Sequence, residues 1–320
     1  METTKHRKHA IRFVDEGSQQ SAAPLPAANG ESKKVIQGSA LCQWSMADGD
    51  QFVASGVTFE RLKTGLYSLR WFKGNPAFET REFALDELYV FPGSAAESVL
   101  QEVDVFWNLA YKYEQHNLLH RRGFLLHGSQ GHGKTSIIKL IIQDMLTKRD
   151  GVVLLCNTDP DLIDVAIRHF RQVEPLRNIM CVYEDIDAMI ESWGEESLLS
   201  ILDGENQTNH VLSIATSNYP DKLDFRLTNR PRRFDTIIKL GVATREERDA
   251  YFLKKTRFVS EEEHQMWLDS SSEFSFAALA EMVIAIRILG HDFDLTINRL
   301  RVMMKNKAIK KDSQDVGFGH

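Results

Sequence analysis

The rhythm of hydrophobic and polar positions changes several times along the chain. Residues 1–33 show no periodicity. Ser21-Ala22-Ala23-Pro24-Leu25-Pro26-Ala27-Ala28-Asn29-Gly30 has linker composition, and Lys5, Arg7, Lys8 and Arg12 form a basic tail before it. Over 34–92, short aromatic or β-branched runs follow one another: Phe52-Val53, Val57-Thr58-Phe59 and 66–72. The turn signals Asp48-Gly49, Thr64-Gly65 and Lys73-Gly74-Asn75-Pro76 separate them, which predicts a small β-rich N-terminal module. Trp71, Phe72, Phe78 and Phe83 are its expected core. From Ala95 to His120 the period becomes helical, with Val99, Val103, Phe106, Leu109 and Ala110 on one face.

Strands and helices then alternate. Strands are expected at 124–126, 152–156, 179–183, 211–216 and 237–240, with helical stretches between them. That order predicts an α/β core over 93–243, with a five-stranded parallel sheet covered by helices on both faces. After Thr244 only helical patterns remain, over 245–257, 261–268, 276–289 and 293–307. They predict a helical subdomain over 244–311, followed by a tail at 312–320.

The first core strand runs into Gly128-Ser129-Gln130-Gly131-His132-Gly133-Lys134-Thr135-Ser136, a phosphate-binding loop set before a helix. Glycines let successive N–H groups converge on phosphate oxygens, and the helix adds its N-terminal dipole. Lys134 is placed to reach the β- and γ-phosphates, and the Thr135 hydroxyl to bind Mg²⁺. Gly128, Gly131, His132, Gly133, Lys134, Thr135 and Ser136 are therefore the candidate nucleotide contacts. Ile137, Ile138, Ile141 and Ile142 give the following helix one apolar face.

Three further clusters carry chemistry. The strand at 179–183 ends in Glu184-Asp185-Ile186-Asp187, which is either a helix N-terminal acid cluster or a metal- and water-handling pair. A phosphate loop upstream favours the second. The strand at 211–216 ends in Ser217-Asn218, where the amide either orients an attacking water or opens a turn through Asn218-Tyr219-Pro220-Asp221. Arg230, Arg232 and Arg233 stand just before the last strand, either as a solvated patch or as guanidinium groups offered to a neighbouring subunit's γ-phosphate. The latter role is worth on the order of 10³–10⁵ in rate.

Composition narrows the classes. The chain has 320 residues, 42% hydrophobic and 26% charged, with a net charge of −6. Its apolar runs are too short to span a bilayer, and Met1 to Arg12 has no apolar leader, so a cytoplasmic setting is expected. Cys42, Cys156 and Cys181 read as reduced packing residues, and His116 and His120 have no further metal-ligating neighbour in sequence. Arg299, Arg301, Lys305, Lys307, Lys310 and Lys311 make the C-terminal end basic. They either complement a helix dipole or contact an acidic partner such as nucleic acid.

Taken in order, the phosphate loop, the strand-end acids, Ala215-Thr216-Ser217-Asn218, and Leu223-Asp224-Phe225-Arg226-Leu227 with Arg230-Pro231-Arg232-Arg233-Phe234-Asp235 resemble an AAA+ ATPase of the AAA clade. The resemblance covers about 120–310, roughly three-fifths of the chain. Within the clade, 121–128 and the Glu-Asp acid order are similar to the mitochondrial translocase type that moves the Rieske protein, and to its bacterial and viral relatives. The resemblance implies Mg²⁺ at Thr135 and Glu184, water activation by Asp185, a sensor role for Asn218, and trans-acting fingers at Arg230 and Arg233. It also implies a ring, usually of six or seven subunits, with ATP at each boundary.

The chain departs from the family's pattern in several places. Gly128-Ser129-Gln130-Gly131 replaces the usual Gly-Pro-Pro-Gly, and Arg232 replaces a glycine between the finger arginines. The segment 157–162 lacks a pore aromatic, and no arginine opens the third helix at 274–277. The expected function is ATP-driven remodelling or movement of an unidentified protein client. The alternatives are a nucleic-acid-linked loader or accessory protein, and a nucleotide-gated scaffold with slow turnover.

Overall fold

Neighbouring side chains in the first core strand go to opposite cores: Phe124 and Leu126 to one, Leu125 to the other. Val152 and Leu154 are split from Val153 in the same way. Strands that are apolar on both faces need a cover on both. The structure, a computed structural model, describes residues 43–46, 51–55, 60–83, 88–91, 93–203, 208–219 and 233–314, and it provides that cover.

Strands β5 (Arg121–His127), β6 (Val152–Leu155), β7 (Ile179–Tyr183), β8 (Val211–Ser217) and β9 (Thr236–Lys239) pair in parallel in the order β6-β7-β8-β5-β9. On one face lie helices α1 (Ala95–Asn108) and α3 (Lys134–Lys148), which bury Val99, Val103, Phe106, Ile137, Ile138, Ile141 and Ile142. On the other lie α4 (Pro160–Val173), α5 (Ile186–Trp193) and α6 (Glu195–Asp203), with Ile163, Phe170, Ile186 and Leu198 inward. The helical pattern before β5 is broken at Leu109, where α1 gives way to the short α2 (Ala110–Gln115).

The five expected strands are thus present and parallel, but the sheet does not end with them. Among the described residues it has nine strands, because β1 (Gln43–Met46), β2 (Gln51–Ser55), β3 (Gly65–Phe72) and β4 (Asn75–Arg81) continue it. These four pair antiparallel among themselves, and β3 lies parallel to β6, with Gly65 opposite Val152 and Ser68 opposite Leu155. Trp44, Phe52, Tyr67 and Phe78 share one apolar cluster with Leu154, Phe170 and Ile179, so among the described residues the β-rich segment has no core separate from that of the parallel strands. The physical reason is that β6, buried on both faces, would otherwise present an unpaired edge. Of the aromatics expected in that core, Phe78 is fully buried, whereas Trp71 is 44% exposed and Phe72 and Phe83 are half-buried.

A polar knot fastens the junction. The buried Glu174 accepts hydrogen bonds from Trp44 Nε1 at 2.9 Å and Leu62 N at 2.8 Å, and pairs with the buried Arg177 at 2.7 Å. Arg177 also donates to the Asp150 and Leu62 carbonyls and to Thr64 Oγ1. Charges this deep persist only when every donor and acceptor is matched.

Beyond β9 the chain is helical, as its pattern predicts: α7 (Arg245–Lys255), α8 (Glu261–Ser270), α9 (Phe276–Val283) and α10 (Phe293–Gln314). They close over Phe252, Trp267, Phe274, Leu279 and Met282. A full capping box, Thr244 with Glu247, starts α7 and contributes about 1 kcal/mol. The single helix expected over 276–289 is instead α9 followed by a π-helical turn at Ile284–Ile288, within which Arg287 stands 4.8 Å over the Trp267 ring. Among the described residues, no helix is long and apolar enough to cross a membrane.

Candidate functional site

Strand register assembles the site. His127 is paired with Ser217, and Tyr183 with Ala215, so β5, β7 and β8 end together. The loop after β5 therefore emerges beside the acids after β7 and the amide after β8. Gly128 has a φ of 150°, its N–H donates to Ser217 O at 3.3 Å, and an added Cβ would lie 2.2 Å from Leu240 O. Gly133, with a φ of 89°, turns the chain into α3. Only glycine fits these two positions without strain.

Lys134 is buried and held by three acceptors: Gly128 O at 2.5 Å, Asn218 Oδ1 at 2.7 Å and Ser129 O at 3.1 Å. Burial pushes its ammonium below the usual lysine range, while Asp185 and Asp187 pull it back up. Asn218 is a bridge, since its Nδ2 donates to Asp185 Oδ1 at 2.8 Å while its Oδ1 accepts from Lys134. Asp185 sits in the left-handed region at φ 51°, with its N–H on Thr216 Oγ1 at 2.9 Å. That conformation turns it out of the strand line and keeps it exposed. Glu184, half-buried, has its N–H on Asn157 Oδ1 at 3.0 Å. Burial, and then the neighbouring Asp185, raise the Glu184 carboxyl above its usual range, with Lys139 opposing.

Gln130, Gly131, Gly133, Lys134, Thr135, Ser136, Glu184, Asp185, Thr216 and Asn218 line one cavity of about 550 Å³. Phe276 and Ala277, at the start of α9, close its far side. Ala277 N donates to Gly131 O at 3.4 Å, so the loop touches the C-terminal helices directly. Thr135 and Glu184 bring a hydroxyl and a carboxylate to the same space, a hard-oxygen donor pair that suits Mg²⁺. A cation there would also relieve the charge crowding on Glu184.

A second cavity of about 390 Å³ adjoins the first at Gly133, Ser136 and Phe276. Leu88, Tyr89 and Phe91 from the segment before α1 form one wall, with Tyr251 and Lys255 of α7 opposite. Phe91 stacks on Phe276 at 5.8 Å and 4°, and Lys254 lies 4.1 Å over the Tyr89 ring. His132 lines this cavity and donates Nδ1–H to Leu240 O at 3.2 Å. Burial, then the Lys134 charge, pushes His132 below the usual histidine range. An apolar, aromatic slot beside a phosphate loop is suited to a nucleobase.

The structure thus brings together Gly128, Gly131, His132, Gly133, Lys134, Thr135, Ser136, Glu184, Asp185 and Asn218. Arg230 and Arg232 lie outside the described residues, and Arg233 is buried at 5% exposure. Sequence reasoning missed Asn157, Asp187, Thr216 and Ser217, which hold the acids and the amide in place. It also missed every wall of the aromatic cavity except His132 and the loop it shares. Asp187 was in view as part of the acid run, but its partners lie on another strand. Of the three cysteines, Cys156 and Cys181 are buried free thiols and Cys42 is outside the described residues. His116 and His120 do not share a helix, and among the described residues no group of three metal-ligating side chains exists.

Comparison with known proteins agrees with this geometry. Residues 124–242 match the family model of the ATPase family associated with various cellular activities (AAA). The chain is 27% identical over 201 residues to a probable mitochondrial chaperone bcs1 of Schizosaccharomyces pombe, covering 59% of this chain and 43% of that protein. It is 28% identical over 193 residues to the mitochondrial chaperone BCS1 of Homo sapiens, covering 55% and 45%. It is 28% identical over 145 residues to the peroxisomal ATPase PEX6 of Rattus norvegicus, covering 39% and 14%. The matches therefore span less than half the length of these relatives. Strand-end register, loop geometry and similarity converge on one conclusion: this chain carries an AAA ATPase domain, with homologues among the mitochondrial BCS1 chaperones.

Proposed function

We propose that the protein hydrolyses ATP as a homo-oligomeric AAA+ ring, hexameric or heptameric by the family pattern, and uses the energy to remodel or move a protein partner. The carrying observation is Asn218 joining Lys134 to Asp185 across a cavity that also holds Thr135 and Glu184. In this reading the loop N–H groups and Lys134 bind the triphosphate, and the aromatic cavity takes the base. Thr135 and Glu184 would hold Mg²⁺, which would supply charge neutralisation at the phosphates. Asp185 orients water and accepts its proton, while Asn218 fixes where Asp185 and Lys134 stand.

Arg230 and Arg233 are the proposed fingers for the neighbouring subunit's ATP. Arg233 is buried within its own protomer, so Arg230 is the first to mutate. The contact between Gly131 and Ala277, with Phe276 reaching into both cavities, gives loss of the γ-phosphate a direct route to the C-terminal helices. The client is proposed to be protein rather than nucleic acid. Of the basic residues near the C-terminus, Arg299 is paired with Glu281 and Arg301 donates to Ser270 O. A cytoplasmic setting is part of the same proposal.

The test is native mass spectrometry of Asp185→Asn with Mg-ATP, beside ATPase assays of the wild type. A closed ring with ATP bound, and turnover lost by on the order of a hundredfold, is expected. A monomer carrying ATP would remove the inter-subunit fingers and the ring with them.

A further inference from the structure

Asn218 can bridge Lys134 and Asp185 only if its backbone is fixed, because the chain leaves the β8 ladder at Ser217. What fixes it is a third acid. Asp187 accepts from Ser217 Oγ at 2.9 Å through one oxygen and from Asn218 N at 2.9 Å through the other. Ser217 is fully buried, and its Oγ accepts in turn from Tyr219 N at 3.0 Å. Its carbonyl takes the Gly128 N–H at 3.3 Å, so the same residue touches the beginning of the phosphate loop.

Asp187 lies in the first turn of α5, where a helix dipole favours a carboxylate, and α5 starts directly after Asp185. One rigid element therefore carries the water-orienting acid and the clamp that places its amide partner. Both clamp bonds are charge-assisted, the stronger class of hydrogen bond. We infer that Asp187 is a positioning residue for hydrolysis, holding Ser217 and Asn218 so that the Asn218 amide meets Lys134 and Asp185 together. The inference rests on the ATPase reading above and adds a residue to it.

The experiment measures kcat, Mg-ATP affinity and Tm for the wild type, Lys134→Ala, Asp187→Ala, Asp187→Asn, Ser217→Ala, Asn218→Ala and the Asp187→Ala/Asn218→Ala double variant. Asp187→Ala is expected to lose kcat by roughly ten- to a hundredfold, as misplaced catalytic groups do, with ATP affinity within about threefold of wild type. Asp187→Asn, which keeps one acceptor oxygen, falls between, and Ser217→Ala loses a few-fold. Because Asp187 acts through Asn218, the double variant is expected to turn over no more slowly than Asn218→Ala alone.

Additive losses in the double variant would overturn the assignment. So would equal losses in affinity and Tm, which describe a purely structural acid. If Asp187→Ala does not fold, Asp187→Asn and Ser217→Ala decide by the same criteria. Wild-type turnover above Lys134→Ala with Asp187 variants unchanged rejects this inference alone. Wild-type turnover equal to Lys134→Ala rejects the ATPase reading and this inference together.

Discussion

The two adjoining cavities are built in opposite ways. The phosphate side draws on three strand ends that register brings level, and its polar groups satisfy one another: Lys134 with Asn218, Asn218 with Asp185, Asp187 with Ser217. The aromatic side draws on a segment before α1 and on two C-terminal helices, joined by the Phe91–Phe276 stack and the Tyr89–Lys254 contact. One is a feature of the sheet. The other exists only while the C-terminal helices sit against the core. Under the proposed function, the difference predicts that phosphate binding and base binding can be disturbed separately, with Phe276, which lines both cavities, as the link between them.

The largest expected effect breaks the comparison from the phosphate side. Lys134→Ala removes the only ammonium lining the phosphate cavity among the described residues, and should weaken both ATP and inorganic tripolyphosphate by about a hundredfold. Isothermal titration would show it, and undiminished ATP affinity would discard the site. A smaller effect sharpens the comparison from the other side. Tyr251→Ala should weaken ATP by about tenfold through lost aromatic contact, yet leave tripolyphosphate affinity unchanged. Equal losses of both ligands would mean that the aromatic cavity is not a base site.

The smallest effect lies away from both cavities. His120 is buried among Phe106, Trp107 and Tyr113, with Nε2–H donated to Phe106 O at 2.9 Å. That leaves Nδ1 to accept from His210 Nδ1–H at 3.2 Å. Burial lowers both histidines. For His120 the bond to Phe106 O opposes and the His210 charge adds to it; for His210 the Arg171 charge adds to it and Glu114 opposes. The unfolded chain therefore takes up protons near pH 6.5 before the folded one does, so stability is full above that pH and declines as pH falls below it. Tm is expected to drop by a few degrees between pH 7.5 and 5.5, and His120→Gln should flatten that drop. A Tm that rises in acid would show these rings to be charged in the fold.

Legibility followed locality. The phosphate loop could be read because its glycines, Lys134 and Thr135 are adjacent in sequence and their spacing is itself the mechanism. Glu184, Asp185 and Asn218 were legible as polar endings to apolar strands. Their supports were not, since Asp187 meets Ser217 and Asn218 only across neighbouring strands, and Asn157 reaches Glu184 from a third. The β-rich segment shows the same limit at the scale of the fold. Its strands are visible in 66–72 and its turns, but nothing local announces that β3 pairs with β6, a partner far along the chain.

The sequence by itself determined the alternation of strands and helices, the glycine loop, the acids and amide at strand ends, and the helical C-terminal region. Each of these is written in a short window, as a period, a turn or a spacing. Only the tertiary structure decided that one sheet joins the β-rich segment to the parallel strands, that Glu174 and Arg177 fasten the junction, and that Asp187 clamps the Asn218 backbone. It alone placed Leu88, Phe91, Tyr251 and Phe276 around one cavity. The physical reason is that buried charges and apolar surfaces must find partners wherever the packed chain supplies them, and sequence distance carries no record of that choice.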